Sequence, residues 1–188
     1  ELMQTNYKSL VSLMHVNNEI GNILDVKRFG DLCQTYNVLF HCDAVQSIGH
    51  FEWDLQNIHV DFLAASAHKF HGPKGVGLLY IKKGIKIGPL ILGGGQEKSI
   101  RSGTENLHSI VGMAKAFQIA YEKRKEIEAQ LTELKTYLVD QLKLKIPGIH
   151  FIGQSDSEGL FNLVNIALPS EKKSSAIQFY LDSHGVAI

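Results

Sequence analysis

The sequence predicts an α/β fold: a mostly parallel sheet flanked by helices, followed by part of a smaller α/β unit. Three observations point there. Short apolar runs rich in β-branched residues alternate with segments of helical period, polar turn-forming clusters close the runs, and a long amphipathic stripe stops at Pro147-Gly148 before the alternation resumes.

Leu10 to Val16 (LVSLMHV) is a run of strand type, closed by the turn-rich Asn17-Asn18-Glu19-Ile20-Gly21-Asn22. From Asp25, an N-cap candidate, the apolar Val26, Phe29, Leu32, Cys33 and Tyr36 recur at helical spacing, which predicts a helix to about Tyr36. Val38 to Cys42 and Val60 to Ser66 read as further strands, with Val45 to Ile58 crossing between them. Strands separated by helical crossovers belong to a parallel sheet covered on both faces. Val76 to Ile81 follows Gly72-Pro73-Lys74-Gly75 so closely that an antiparallel strand is expected. Gly93-Gly94-Gly95 reads as a connection of structural meaning.

Two helices are expected next, from about Glu105 to Ile119 and from about Glu122 to Leu144, the second with Ile127, Leu131, Leu134, Leu138 and Leu142 on one stripe. The tail reads as strands near Ile149 to Ile152 and Leu163 to Leu168, then a helix near Ser174 to Ser183. A boundary near residue 123 divides residues 1–123, part of a large domain, from 124–188, part of a small C-terminal one.

An apolar fraction of 44% over 188 residues, with 20% charged, supplies a real core and excludes a disordered chain. Nineteen Lys plus Arg balance nineteen Asp plus Glu, so no net field draws the chain to nucleic acid or to an anionic membrane. Neither is expected as a partner. No apolar run nears the roughly 20 residues that span a bilayer, and the start ELMQTNYKS lacks the pattern of a secretory leader, which leaves a cytoplasmic location as the expectation. Cys33 and Cys42 sit in patterned segments rather than in a disulfide framework. The first residue is not Met, and Gly185 to Ile188 reads as a strand cut in mid-course, so a fragment is expected. His15, His41, His50, His59, His68 and His71 match no zinc spacing, and Gly72-Pro73-Lys74-Gly75 lacks the ending of a phosphate loop, so no metal site is assigned.

Chemistry concentrates between Asp43 and Gly77. Asp43 closes one predicted strand, and Ser66-Ala67-His68-Lys69 closes the next. Ligands of parallel sheets sit at the carboxyl ends of strands, so Asp43 and Lys69 are expected to project into one crevice. An acid and an amine placed so suit pyridoxal phosphate: a neutral amine attacks an aldehyde, and a carboxylate keeps the pyridine nitrogen protonated. By itself the pair is weak, since most such pairs are salt bridges or solvated charges.

The motifs around it are more specific. His41-Cys42-Asp43-Ala44-Val45-Gln46-Ser47 and Val60 to Lys69, followed by Gly72-Pro73-Lys74-Gly75-Val76-Gly77, resemble the cofactor signature of class V aminotransferase relatives. Asn17-Asn18-Glu19-Ile20-Gly21 and Arg101-Ser102-Gly103-Thr104 narrow the resemblance to NifS/IscS-type cysteine desulfurases, densely over Met14 to Asn106 and loosely after about residue 120. The resemblance implies a fold-type I pyridoxal-phosphate-dependent transferase that removes sulfur from L-cysteine, giving L-alanine and an enzyme persulfide for iron-sulfur clusters or thio-modification.

It also implies roles for particular residues. Lys69 forms the Schiff base with the cofactor and moves protons, Asp43 pairs with the pyridinium, Gln46 bonds the phenolic oxygen, and Ser66 and His68 bind the phosphate. Asn18 lies near the ring and the substrate carboxylate. Thr104 reaches the phosphate of the other subunit, which implies a homodimer, and a sulfur-acceptor or scaffold protein is a further implied partner. The family's persulfide cysteine lies on a mobile loop just beyond a strand resembling Gly185 to Ile188, and this chain stops short of it. Cys42 alternates with Asp43 and Cys33 lies on the apolar stripe of its helix, so both are expected to be small buried hydrophobes rather than the nucleophile. The isolated 188 residues are expected to turn over little and to hold the cofactor weakly. The alternatives are another enzyme of the same fold, such as a selenocysteine lyase or a small-amino-acid aminotransferase, and an inactive chain with a scaffold role.

Overall fold

In the computed structural model, which describes residues 9–169 and 175–188, four strands form one sheet in sequence order. They are β1 (Leu10–Met14), β2 (Leu39–Asp43), β3 (Phe62–Ser66) and β4 (Gly77–Ile81). β1, β2 and β3 run parallel, with Met14 opposite Asp43 and Asp43 opposite Ala64. β4 returns antiparallel to β3, as its short connection requires.

Between β1 and β2 lies α1 (Val26–Thr35), begun by Asp25, whose side chain accepts from the Arg28 amide. It buries Val26 and Cys33 against Phe40 and Cys42 of β2, with Val11 and Leu13 of β1 beside them. On the same face, Leu63 and Ala65 of β3 pack with Phe70 under Met113, Ala116 and Ala120 of a later helix. Both helices therefore cover one side. On the other, Leu10, Leu39 and Leu79 are 56%, 39% and 51% exposed. Cover on both faces, expected from the alternation, is thus built on one face by the described residues. The Val45 to Ile58 crossing supplies no helix because it folds as successive turns, in which the Asp54 carboxylate accepts from the Gln56 amide and the Asn57 side chain.

The two helices expected after residue 105 are one. Past α2, a four-residue turn (Gln96–Ser99), α3 runs unbroken from Leu107 to Lys145, capped by Asn106, whose side chain accepts from the Ser109 amide. No Gly or Pro interrupts Ala120-Tyr121-Glu122, and the Arg124 guanidinium sits 4.8 Å from the Tyr121 ring and 2.9 Å from Glu52, which ties the middle of the helix to the body. What the sequence presents as a break is a change of partner: the first half covers the sheet, whereas Lys135 donates to the carbonyls of Gly159 and Leu160 in the tail.

The tail pairs β5 (His150–Phe151) with β6 (Ile166–Ala167) antiparallel, shorter than either expected strand, and adds α4 (Ser175–Ser183). Ser174, where that helix was expected to start, and residues 1–8 lie outside the described residues. Val186 to Ile188 form no ladder; the Val186 amide instead donates to Leu181 at the end of α4. No helix among the described residues is long and apolar enough to cross a membrane.

Candidate active site

Because β1, β2 and β3 are parallel and nearly level, their carboxyl ends form one edge, and the segments that follow carry most of the expected site residues. Asn17 and Asn18 follow β1, Asp43 ends β2, and Ser66 ends β3. This edge is where ligands of parallel sheets bind, since strand ends leave loops and unpaired backbone groups there.

Asp43 faces away from the helix-covered side. Its neighbour Cys42 is fully buried toward α1, and alternation along a strand turns the carboxylate the other way. One carboxylate oxygen accepts from the Val45 amide at 3.0 Å, which tightens the turn bearing Gln46. Ser47, fully buried, donates to the Ala44 carbonyl and holds that turn against the sheet.

After Ser66 the chain makes a 3-10 turn, Ala67–Phe70. Residues three apart eclipse in such a turn, so Ala67 and Phe70 enter the core together, while His68 is exposed and Lys69 half-buried. Phe70 is anchored by the ring of Phe117 on α3, 5.8 Å away. His71 adopts the left-handed conformation with φ 65° and ends the turn, and the Gly72 amide donates back to Ala67. A β-carbon at Gly77 would run into the Ala65 carbonyl, so only glycine lets β4 lie this close to β3. Asp43 and Lys69 thus both lie at the carboxyl end of neighbouring strands, outside the core cluster.

Among the described residues, the side chains of Gln46, Ser66, His68, Lys69 and Thr104 make no hydrogen bond or ion pair, and Asp43 keeps one carboxylate oxygen unpaired. Amine, carboxylate, amide, hydroxyl and imidazole groups with unused capacity at one sheet edge fit a ligand with an aldehyde, a ring nitrogen and an anionic group. Asn18 is exposed and donates to Glu19. Thr104 stands apart on an exposed loop, where Arg101 donates to its carbonyl at 3.4 Å and to that of Gly103 at 2.9 Å. Ser102 braces the same loop by donating to the Gly94 carbonyl at 2.7 Å.

Both cysteines are buried. Burial, with the charge of Asp43 second, pushes the Cys42 thiol up to about 12, and burial raises Cys33 as well. Neither ionises near neutral pH, so neither is a ready nucleophile. His15, just past β1, is wedged between Phe51 and Trp53 with ring centroids 5.4 and 5.0 Å away, and burial lowers its pKa to about 4. The sequence excludes His15 as a metal ligand but does not announce its burial between aromatic rings, nor Arg101 as a brace, nor the tail's contacts with the Asn17–Asn22 loop. Such contacts join residues more than a hundred positions apart and leave no local pattern.

The profile of the family described as aminotransferase class-V matches residues 2–188. A cysteine desulfurase IscS of Clostridium botulinum (strain Hall) is 47% identical over 164 residues, 87% of this chain and 41% of that protein. A cysteine desulfurase IscS of Dictyoglomus turgidum is 44% identical over 180 residues, 95% of this chain and 45% of that protein. Among solved structures, a NifS-like protein superposes with a TM-score of 0.88 at 41% identity, covering 96% of this chain and 49% of the other. A NifS-like protein from Rickettsia africae gives 0.91 at 31% identity, covering 99% and 51%. The chain spans about half the length of the relatives it matches. The fold is that of the fold-type I pyridoxal-phosphate-dependent transferases, and the chain belongs to the aminotransferase class-V family.

Proposed function

We propose that the complete protein is a cysteine desulfurase, which removes sulfur from L-cysteine to give L-alanine and passes the sulfur to a thiol other than Cys33 or Cys42. The observation that supports this reading is the carboxyl edge, where Asp43 and Ser66 end adjacent parallel strands and His68 and Lys69 follow directly on the turn after Ser66, in a chain 44–47% identical to IscS desulfurases.

Pyridoxal phosphate, when bound, supplies a ring that accepts the electron pair released at the substrate's α-carbon. The Lys69 Nζ is the amine that anchors it and then carries a proton to and from the substrate. The Asp43 carboxylate holds the proton on the ring nitrogen, and the Gln46 amide donates to the ring oxygen. Ser66 Oγ and the His68 ring bind the phosphate, and Asn18 borders the ring and the substrate carboxylate. Thr104 of one protomer reaches the phosphate held by its partner, so the active form is a homodimer. In this reading residues 1–123 belong to the cofactor domain and 124–188 to a smaller domain, with α3 running through both. A cytoplasmic setting and delivery of sulfur to an acceptor or scaffold protein, for iron-sulfur clusters or thio-modification, complete the proposal.

The test is incubation of the complete protein with L-cysteine and excess dithiol, which reduces the persulfide and releases its outer sulfur as sulfide, and assay of both sulfide and alanine. Equal amounts of the two, lost in a Lys69→Ala variant, support desulfuration. Keto acid without sulfide would mean transamination and would overturn the reading.

A further inference from the structure

Five consecutive residues immediately after Asn18 are each tied to the tail of the chain. Asn165 Nδ2 donates to the Glu19 carbonyl at 2.8 Å. Ser155 Oγ donates to the Ile20 carbonyl at 3.4 Å, and the Leu160 amide donates to the Gly21 carbonyl at 2.8 Å. The Gln154 amide donates to Asn22 Oδ1 at 2.8 Å, while the Ile23 amide donates to Gln154 Oε1 at 3.1 Å. The clamp is itself braced: fully buried Ser155 also accepts from the Asn165 amide at 2.9 Å.

The fit is too close for chance apposition. A β-carbon at Gly153 would collide with Asn22 Oδ1 and crowd Ile20, and one at Gly21 would stand 3.2 Å from Leu163. Both glycines have positive φ, 64° and 69°, so the backbone on each side is shaped for this contact. From the other end, Asn17 accepts from the Glu19 and Ile20 amides at 2.9 and 3.0 Å. Asn18 is therefore the exposed residue between an internal turn and an external clamp, with a side-chain amide that donates to its neighbour Glu19.

We propose that Gln154, Ser155 and Asn165 are positioning residues for Asn18: by fixing the backbone of residues 19–23, they set where Asn18 meets the ligand, and they make the site sensitive to the placement of the tail unit. The inference rests on the assignment of Asn18 to the site proposed above. Gln154 is the informative member, because it holds the Ile23 amide through a side-chain oxygen that a single substitution removes.

The test compares Gln154→Leu with Gln154→Glu, which keeps the acceptor, in the complete protein with and without Asn18→Ala. In cofactor-free protein, Gln154→Leu is expected to speed hydrogen exchange at the residue 19–23 amides, and Gln154→Glu to leave it near wild type. With cofactor loaded, Gln154→Leu should lower kcat/KM for L-cysteine about ten-fold and shift the cofactor's absorbance maximum, as displacement of a positioning group does. Gln154→Glu should restore both. In the Asn18→Ala background, Gln154→Leu should add no further loss, the mark of two residues acting through one contact. A fully additive loss, or faster exchange with unchanged kcat/KM, would overturn the inference. Wild-type kcat/KM in Asn18→Ala alone would instead remove Asn18 from the site, and the inference with it. If Gln154→Leu does not fold, Asn22→Ala against Asn22→Asp tests the same clamp from the other side by the same criteria.

Discussion

Cys42 and Asp43 are neighbours in β2 that meet opposite environments. On one side of the sheet, Cys42, Phe40 and Leu63 are sealed under α1 and α3, and the thiol is pushed far above the range in which it ionises. At the carboxyl edge, Asp43, Ser66, His68 and Lys69 keep polar groups that nothing among the described residues satisfies. A dry helix-covered face holds the strands in register, which is what a polar edge proposed to do chemistry requires.

The largest effects are expected at the polar edge. Lys69→Ala in the complete protein is expected to lower kcat for L-cysteine by at least about 10³-fold, since in the proposed reading Lys69 supplies the covalent amine. Near-wild-type turnover would mean that the edge is not the site. Asp43→Asn keeps shape but loses charge, and about 10²-fold is expected from weaker protonation of the ring nitrogen, read in kcat at saturating cofactor. Unchanged kcat would leave Asp43 as a turn-former for Val45 only.

Two smaller effects sharpen the dry side. His15 has a pKa lowered from 6.5 to about 4, so the unfolded chain binds its proton first as pH falls. Stability contributed by neutral His15 is present above pH 6.5 and is lost as pH drops toward 4, costing about 2 kcal/mol between pH 7 and pH 5. Urea titrations at those two pH values check it, and His15→Phe should flatten the difference. Cys42→Ala should cost about 1 kcal/mol of stability in the same titration, as a small buried truncation does, while leaving sulfide release intact. Loss of activity without loss of fold would make Cys42 a participant after all.

Much of this division was readable from residues. Period-two alternation assigns Cys42 and Asp43 to opposite faces, Asp25 announces α1, and the short Gly72 to Gly75 link requires β4 to run antiparallel. The edge could be placed because strand ends and their following residues are local features. Three things could not be read. The continuity of α3 through residues 120–122 depends on a change of packing partner that keeps helical propensity intact. Turns in place of a crossover helix at Val45 to Ile58 follow from side-chain bonds of Asp54 that periodicity ignores. The clamp on residues 19–23 joins segments over 130 positions apart, and nothing in either segment announces the other.

The central claim is that the ε-amine of Lys69, and no other, bonds the cofactor. Borohydride reduction of the complete protein loaded with pyridoxal phosphate, followed by digestion and mass mapping, reads this directly. A single modified peptide carrying the label on Lys69 is expected; a label on Lys74 or on any other lysine, with Lys69 unmodified, would contradict the assignment.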